Sequence, residues 1–161
     1  RNLSLSFLID VRYGGVMYSG TVSDLRVNGM AEETIGKNRT DIVDKGVKQD
    51  GTENTTAITP YQFWSNNYSS KVSEANVFDA TFVKLREMVL SYQMPQRWFK
   101  NCFIGSLALG VEGRNLWLMK SNVPHIDPET NIFGPSAVGS GVEYSAIPTT
   151  RSWGFNIKLT F

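Results

Sequence analysis

The chain has 161 residues, and its 16 basic and 15 acidic side chains leave a net charge of +1. Its length suits one domain, and a composition of 41% hydrophobic and 19% charged residues excludes an intrinsically disordered chain. The balanced charge excludes a nucleic-acid-binding protein, while a single cysteine (Cys102) and a single histidine (His125) exclude a disulfide framework and a His/Cys zinc site. The apolar runs are too short for a transmembrane helix. Because a strand-like pattern is already under way at Arg1, we expect a piece of a longer protein.

The first predicted strand covers about residues 2–22. From Leu3 to Tyr13 the odd positions are apolar and the even positions are polar except for Leu8, and this period of two predicts a strand with one apolar face. Gly14 and Gly15 either turn the chain or form a flexible point in one long strand. We favour the continuous strand because β-prone residues follow the two glycines directly.

A long polar segment, about residues 23–79, is predicted to be a loop. Within it, Thr59 and Pro60 have the residue types of a helix N-cap and a first helical position, which predicts a short helix that runs to about Tyr68.

Two further strands are predicted over about residues 80–94 and 103–119, joined by a short connection. Residues 88–94 alternate between apolar and polar, and Pro95 ends the first of these strands. Lys84 and Arg86 fall on the phase of the apolar positions, so either a bulge shifts the register or both residues lie beyond the apolar band. In the second strand the alternation is clear from Phe103 to Val111 and becomes unclear near Gly113.

After a second long loop, about residues 120–150, residues 151–161 form the clearest strand. Apolar residues from Trp153 to Phe161 occupy every odd position, and polar or small residues occupy every even position. Short and long connections therefore alternate along the chain. Transmembrane β-barrels have this arrangement, with short periplasmic turns and long extracellular loops.

Two all-β architectures fit this pattern, because a soluble antiparallel sandwich with one buried face has the same period. The predicted strands exceed the usual 5 to 6 residues, reach the roughly 9 to 11 that cross a bilayer, and carry aromatic residues near their ends. Four strands cannot close a barrel, and in lipid an open sheet edge leaves backbone groups unpaired. The sequence therefore predicts a segment of an antiparallel transmembrane β-barrel that belongs to a larger outer-membrane wall.

Five stretches then follow one another in a fixed order: residues 79–87, 90–95, 113–118, 127–129, and 148–152 with the terminal strand. Together they resemble the C-terminal end of SusC/RagA-type TonB-dependent transporters. Gly29, Glu33, Thr34 and Arg39 in the first long loop, and the segment 10–15, are also similar to that family.

The resemblance implies that residues 1–161 supply the last four strands of a 22-stranded barrel whose plug domain is not in this chain. It implies an outer-membrane nutrient importer of a Gram-negative cell that takes up glycans or oligopeptides beneath a SusD-like surface lipoprotein lid. The other implied partners are the rest of the barrel, the lipid bilayer, and TonB, which acts through the absent N-terminal part. No cofactor is implied. Phe161 resembles the terminal aromatic signal read by the barrel-assembly machinery, and the alternative is that it only anchors the strand at the membrane interface.

Three groups of residues are candidate sites. Four aromatic residues of the predicted helix either contact the substrate or the lid, or only hold the loop in place: Tyr61, Phe63, Trp64 and Tyr68. Six residues of the polar strand faces are candidates to line the barrel lumen: Asp10, Arg12, Glu112, Arg114, Asn156 and Lys158. His125, Asp127 and Glu129 would share one face of an extended segment and form a cation site, but we favour a turn fixed by Pro128 and predict no metal.

We predict no enzyme activity, because the only histidine lies in a loop and no Gly-x-Ser-x-Gly sequence occurs. The main rival function is a secreted β-sandwich carbohydrate-binding module. A passive porin wall is the third hypothesis.

Overall fold

The computed structural model describes residues 2–35, 40–100, 103–133 and 141–161, so Arg39 and Cys102 lie outside the described residues. In chain order, the strands and helices are β1 (Leu3–Arg12), β2 (Val16–Ser19), α1 (Gly20–Val27), β3 (Ile42–Val43), β4 (Ala57–Ile58), α2 (Pro60–Tyr68), β5 (Val77–Asp79), β6 (Phe82–Gln93), β7 (Ser106–Ser121), β8 (Val142–Glu143) and β9 (Ser152–Thr160). Short 3-10 turns cover Glu32–Thr34, Ser73–Asn76 and Gln96–Trp98. The chain divides into two compact units. We call them the sheet unit (Arg1–Tyr13, Thr81–Ser121 and Thr149–Phe161) and the loop unit (Gly14–Ala80 and Asn122–Pro148).

The sheet unit is built around one antiparallel sheet in the order β1-β6-β7-β9. These strands have 10, 12, 16 and 9 residues. At about 3.3 Å per residue, even the shortest extends for roughly 30 Å, which is enough to cross a bilayer at a tilt. The predicted all-β class with long antiparallel strands is confirmed.

The register of the sheet separates apolar from polar residues, because directly paired residues in an antiparallel sheet point to the same face. On one face, which we call the apolar face, a row of paired residues crosses all four strands: Leu5, Leu90, Val111 and Phe155. On the opposite face, the polar face, the neighbouring row is Ser4, Ser91, Gly110 and Asn156. The alternation seen in each separate strand therefore adds up to one two-sided sheet.

The apolar face is exposed. On β9, Trp153, Phe155 and Ile157 are 62%, 84% and 68% exposed. A water-soluble sandwich buries such residues against a second sheet about 10 Å away. The exposure of these side chains does not favour the rival β-sandwich.

Arg86 is an extra residue in β6. This bulge decides between the two explanations that the sequence left open for Lys84 and Arg86. Leu8 pairs with Glu87 but Ile9 pairs with Leu85, so the register of β1 on β6 shifts at Arg86. The shift brings Lys84 opposite Asp10, on the polar face. The bulge explanation is thus confirmed, and the strand keeps its apolar face on both sides of it.

A second irregularity lies opposite Arg86 in β7 and explains the unclear phase near Gly113. The pairing of β7 with β6 shifts between Arg114 and Trp117, and Asn115 has a φ of 51°. Asparagine tolerates this left-handed conformation better than most residues.

The prediction of one continuous strand over residues 2–22 is wrong. β1 ends at Arg12, and Gly14 and Gly15 adopt φ angles of 77° and 86°, a region that glycine enters without a steric penalty. Two successive residues of this kind redirect the backbone. β2 then pairs with β5 and β8 in a separate sheet, and α1 begins at Gly20.

The loop unit contains β2–β5, β8 and both helices, so the predicted loop over residues 23–79 has its own regular structure. A small core of Met17, Ala80 and Val123 holds it together. The predicted helix is confirmed as α2. The Thr59 side chain accepts a hydrogen bond from the backbone N–H of Gln62, and the Gln62 side chain accepts one from the backbone N–H of Thr59. These two hydrogen bonds form a capping box. No helix in the described part of the chain is long and apolar enough to span a membrane.

Candidate functional site

The six predicted lumen-facing residues all belong to the polar face of the sheet. Five of their six pairing partners are polar or small, and the sixth, the partner of Arg12, is Phe82. The other pairs are Lys84 with Asp10, Gly154 with Glu112, Ser152 with Arg114, Gly110 with Asn156 and Ala108 with Lys158. The fold therefore brings these six residues, which are far apart in sequence, to one surface. That this surface lines a passage remains a prediction.

A hydrogen-bonded network centred on Arg86 crosses the sheet at the level of the two irregularities. Arg86 donates from Nη2 and Nε to one carboxylate oxygen of Asp10, at 2.7 and 3.0 Å, and from Nη1 to Oδ1 of Asn115 at 3.3 Å. Asn115 in turn donates from Nδ2 to the carbonyl of Thr150 at 3.0 Å. We call these four residues the Arg86 network. It links β1, β6, β7 and the segment that enters β9. The only sign of it in the sequence was that Arg86 occupies a position where the alternation calls for an apolar residue.

Arg114 is held more loosely on the same face. Its guanidinium lies 3.4 Å from a carboxylate oxygen of Glu87 and 3.9 Å from one of Glu112, and its side chain is 60% exposed. Ion pairs this open to solvent stabilise a protein by at most about 1 kcal/mol. The Arg114 guanidinium is therefore accessible to solvent, and its contact with a ligand remains a prediction.

The aromatic residues of α2 divide into a packed group and an accessible residue. Trp64 is only 6% exposed, and its ring lies 5.4 Å from that of Phe63 and 4.7 Å from that of Tyr68. Tyr61, by contrast, is 64% exposed. It lines a cavity of about 300 Å³ together with Val27, Asn28, Gly29, Pro60 and Trp64. Three of the four candidates thus pack within the loop unit, and Tyr61 is accessible to solvent.

An ion-pair network joins several segments of the loop unit. The sequence singled out Glu33 through the family resemblance and His125 as a candidate cation ligand, but it did not predict that the two residues pair. One carboxylate oxygen of Glu33 accepts a hydrogen bond from Nε of Arg26 at 2.6 Å, and the other lies 2.6 Å from Nε2 of His125. Arg26 also donates to the carbonyl of Ala75 at 2.9 Å. Partial burial acts to raise the pKa of Glu33, but the hydrogen bonds and charge of Arg26, with the hydrogen bond from His125, outweigh it and lower the pKa to about 2.

His125, Asp127 and Glu129 do not form a common cation site. His125 is paired with Glu33, and the carboxylate of Asp127 accepts a hydrogen bond from the backbone N–H of Glu129 at 3.2 Å, as in an Asx turn. Across the described ranges, no group of three or more His, Cys, Asp or Glu side chains is placed to hold a metal ion.

Sequence reasoning missed a buried carboxylate, that of Glu143. It accepts hydrogen bonds from the hydroxyls of Ser19 and Thr21, both at 2.6 Å, and from the backbone N–H of Ala146 at 3.1 Å. It lies at the start of α1, where the helix dipole favours negative charge. A single glutamate in a polar loop gives no pattern by which it could have been found.

Phe161 lies at the end of β9 against Phe103, which precedes β7. Their rings are stacked, with centroids 5.7 Å apart and planes 4° from parallel, and both residues are exposed. The contact places the terminal aromatic at the edge of the apolar face. Its part in barrel assembly stays a prediction.

Comparison with known proteins finds proteins that are similar to the chain in sequence and in structure, although no protein-family model matches it. Over 95 residues, or 56% of its length, the chain is 24% identical to TonB-dependent receptor P3 of Formosa agariphila, and the match covers 9% of that protein. All of the chain is similar in structure to the RagAB peptide importer in its open-open state, with a TM-score of 0.64 and 19% identity. The closed-closed state matches 99% of the chain, with a TM-score of 0.61 and 19% identity. In both structures the chain covers 16% of the matched chain, so it spans a small part of these relatives.

The structural matches show a shared fold, and the sequence match is to a TonB-dependent receptor. The resemblance to SusC/RagA-type TonB-dependent transporters that was predicted from the sequence is confirmed as a likeness in fold to part of the RagAB peptide importer, together with a sequence match to a TonB-dependent receptor.

Proposed function

We propose that this chain forms part of the barrel wall of an importer in the outer membrane of a Gram-negative cell. The whole transporter takes up glycans or oligopeptides, is energised by TonB through a part outside this chain, and is closed by a SusD-like surface lipoprotein. The single observation that carries the proposal is the sheet register, which gives four strands one continuous apolar face and one continuous polar face. The structural relatives, which are structures of a peptide importer, support it.

The two faces have different physical requirements, and a barrel wall meets both. Each exposed apolar side chain of β9 costs free energy in water, about 25 cal/mol per Å², and that cost disappears against acyl chains. The polar face carries Asp10, Glu112, Arg114 and Lys158, which need water or polar partners. A water-filled passage on that side satisfies them. The outward edges of β1 and β9 pair with further strands of the same barrel, because unpaired backbone groups are too costly in lipid.

The proposed importer is tested by uptake into cells. A strain that lacks the full-length transporter should lose uptake of its glycan or oligopeptide, and a plasmid copy should restore it. In the complemented strain, a proton uncoupler should abolish uptake, because import through a plugged barrel needs energy from TonB. Uptake that depends on the transporter but survives the uncoupler would instead identify a passive porin. Purification in mild detergent should also yield a surface lipoprotein in equal amount.

We propose that Tyr61 contacts the substrate or the lid, while Phe63, Trp64 and Tyr68 hold α2 in place. Tyr61→Ala should weaken uptake or lid binding by about fivefold, the effect of a contact that contributes about 1 kcal/mol, without changing the amount of folded transporter. Trp64→Ala should do the reverse and mainly lower the folded amount, because it removes a buried ring. If Tyr61→Ala leaves both uptake and lid affinity at the wild-type level, α2 serves only to pack the loop unit.

A further inference from the structure

The short connection between β6 and β7 forms a cavity of about 330 Å³ at one end of the sheet unit. It is lined by Gln96, Arg97, Phe99, Lys100, Ile104 and Gly105. Its volume lies at the lower end of the range for small-molecule sites and fits one compact polar group.

The cavity carries positive charge that no acidic residue balances. Arg97 and Lys100 both line it, and both are exposed. Neither has an ion-pair partner within the described residues, and residues 94–105 contain no Asp or Glu at all. A guanidinium and an ammonium group on one cavity are donors that bind phosphate, the first with a planar fork and the second as a point charge.

Two residues that line the cavity adjoin the aromatic pair at the end of the apolar face. Ile104 and Gly105 directly follow Phe103, which stacks on Phe161, and the N–H of Gly105 donates to the carbonyl of Thr160 at 2.7 Å. Phe161 continues the phase of Ile157 and Leu159, which belong to the apolar face. A molecule bound here therefore meets two cations at one end and a long apolar surface beyond them, so the ligand that fits is amphipathic and anionic.

We propose that this cavity binds the phosphate of an anionic phospholipid headgroup, and that the acyl chains of the same lipid lie along the apolar face. The inference rests on the proposed placement of the chain in a membrane. It assigns Arg97 and Lys100 as headgroup ligands, and it assigns Phe103 and Phe161 as the aromatic border between the headgroup and the acyl chains. Aromatic residues favour this depth in transmembrane barrels, and each Lys or Arg near an anionic lipid surface contributes favourable binding energy.

The test uses the full-length transporter in bilayer discs that contain equal amounts of phosphatidylglycerol and phosphatidylcholine. Lipids that remain with the protein after detergent exchange are extracted and quantified by mass spectrometry. The wild-type protein should retain phosphatidylglycerol in preference to phosphatidylcholine. Each of Arg97→Gln and Lys100→Gln should reduce that preference by about fivefold, since one cation near an anionic surface is worth about 1 kcal/mol.

Lys45 and Lys48 supply the matched control, because they are exposed lysines of the loop unit. The double variant Lys45→Gln/Lys48→Gln should keep the wild-type preference, and Arg97→Lys should keep most of it. An equal loss in the control variant would show that only overall charge matters and would overturn the site. Displacement of the lipid by millimolar inorganic phosphate alone would show that the cavity takes the free ion and not a lipid.

Two further outcomes separate this site from the proposed function. Retention of both lipids in equal amounts by the wild-type protein would overturn the headgroup site and leave the membrane placement intact. Retention of neither lipid would overturn the membrane placement, and the site would fall with it.

Discussion

The Arg86 network offers a quantitative test of how the sheet is held together. Replacing Arg86 by methionine keeps most of the aliphatic side chain but removes the two hydrogen bonds to Asp10 and the one to Asn115. Because the bulge exists in the backbone, the substitution should leave the strand register unchanged and remove only the side-chain links between β1, β6 and β7.

The size of the effect follows from the exposure of the pair. A hydrogen bond to a charged group contributes about 1.5 to 3 kcal/mol when it is well shielded. Here the side chains of Arg86 and Asp10 are 27% and 41% exposed, so solvent screening lowers the contribution of the pair to about 1 kcal/mol. The bond to Asn115 adds about 0.5 to 1 kcal/mol. Arg86→Met should therefore lower the free energy of unfolding by about 1.5 to 2 kcal/mol.

A double-mutant cycle isolates the pair from other effects of the substitution. The full-length transporter, refolded into lipid vesicles, is unfolded with urea as wild type, Arg86→Met, Asp10→Asn and the double variant. We expect a coupling energy of about 1 kcal/mol between the two positions. A coupling below about 0.3 kcal/mol would show that the ion pair contributes nothing that its two partners do not contribute separately, and the expected effect of Arg86→Met would then be wrong.

Three further predictions use the same preparations. Phe155→Arg should destabilise the transporter by about 2 to 4 kcal/mol in urea unfolding, the cost of a cation on the lipid face, whereas Asn156→Arg on the opposite face should change it by less than about 1 kcal/mol; equal effects would contradict the assignment of faces. The pKa of Glu33 is about 2, against an ordinary value of 4.5, so its carboxylate stabilises the loop unit fully above about pH 4.5, and that stability is lost as the pH falls toward 2. The free energy of unfolding of the loop unit should fall accordingly, by about 1 to 2 kcal/mol after allowance for solvent screening, and a lower resistance to protease should report this fall. Glu33→Gln should remove this pH dependence. Gly20→Ala should lower the local stability of the segment around Tyr144 by about 1 kcal/mol, even though alanine favours helices, because the added methyl would overlap the Tyr144 ring. Faster proteolysis of this segment is the readout, and unchanged proteolysis would show that the ring moves aside freely.

The long strands of the sheet could be predicted from the sequence because each carries its own period of two. β9 is the clearest case, with an unbroken alternation from Ser152 to Thr160. The positions of the six polar candidates followed from the same alternation. The short helix α2 was also predictable, since its capping signals lie within four residues of one another.

Features that depend on distant partners could not be predicted. β2 reads as a continuation of β1, and only its pairing with β5, about 60 residues further on, assigns it to another sheet. The register at Arg86 was equally undecided, because the Arg86 side chain bonds to a carboxylate on β1 and an amide on β7, and neither is near it in sequence. Glu143 is recognisable only when α1 is seen beside it.

The most direct test of the account is a measurement of which side of β9 meets lipid. Single spin labels placed at each position from 153 to 158 of the full-length transporter, reconstituted in vesicles, report collisions with oxygen, which concentrates in lipid, and with a nickel chelate, which stays in water. We predict that oxygen collisions peak at Trp153, Phe155 and Ile157, and that nickel collisions peak at Gly154, Asn156 and Lys158. If nickel collisions are instead highest at positions 153, 155 and 157, or show no alternation at all, the apolar face does not meet the membrane and the assignment to a barrel wall is contradicted.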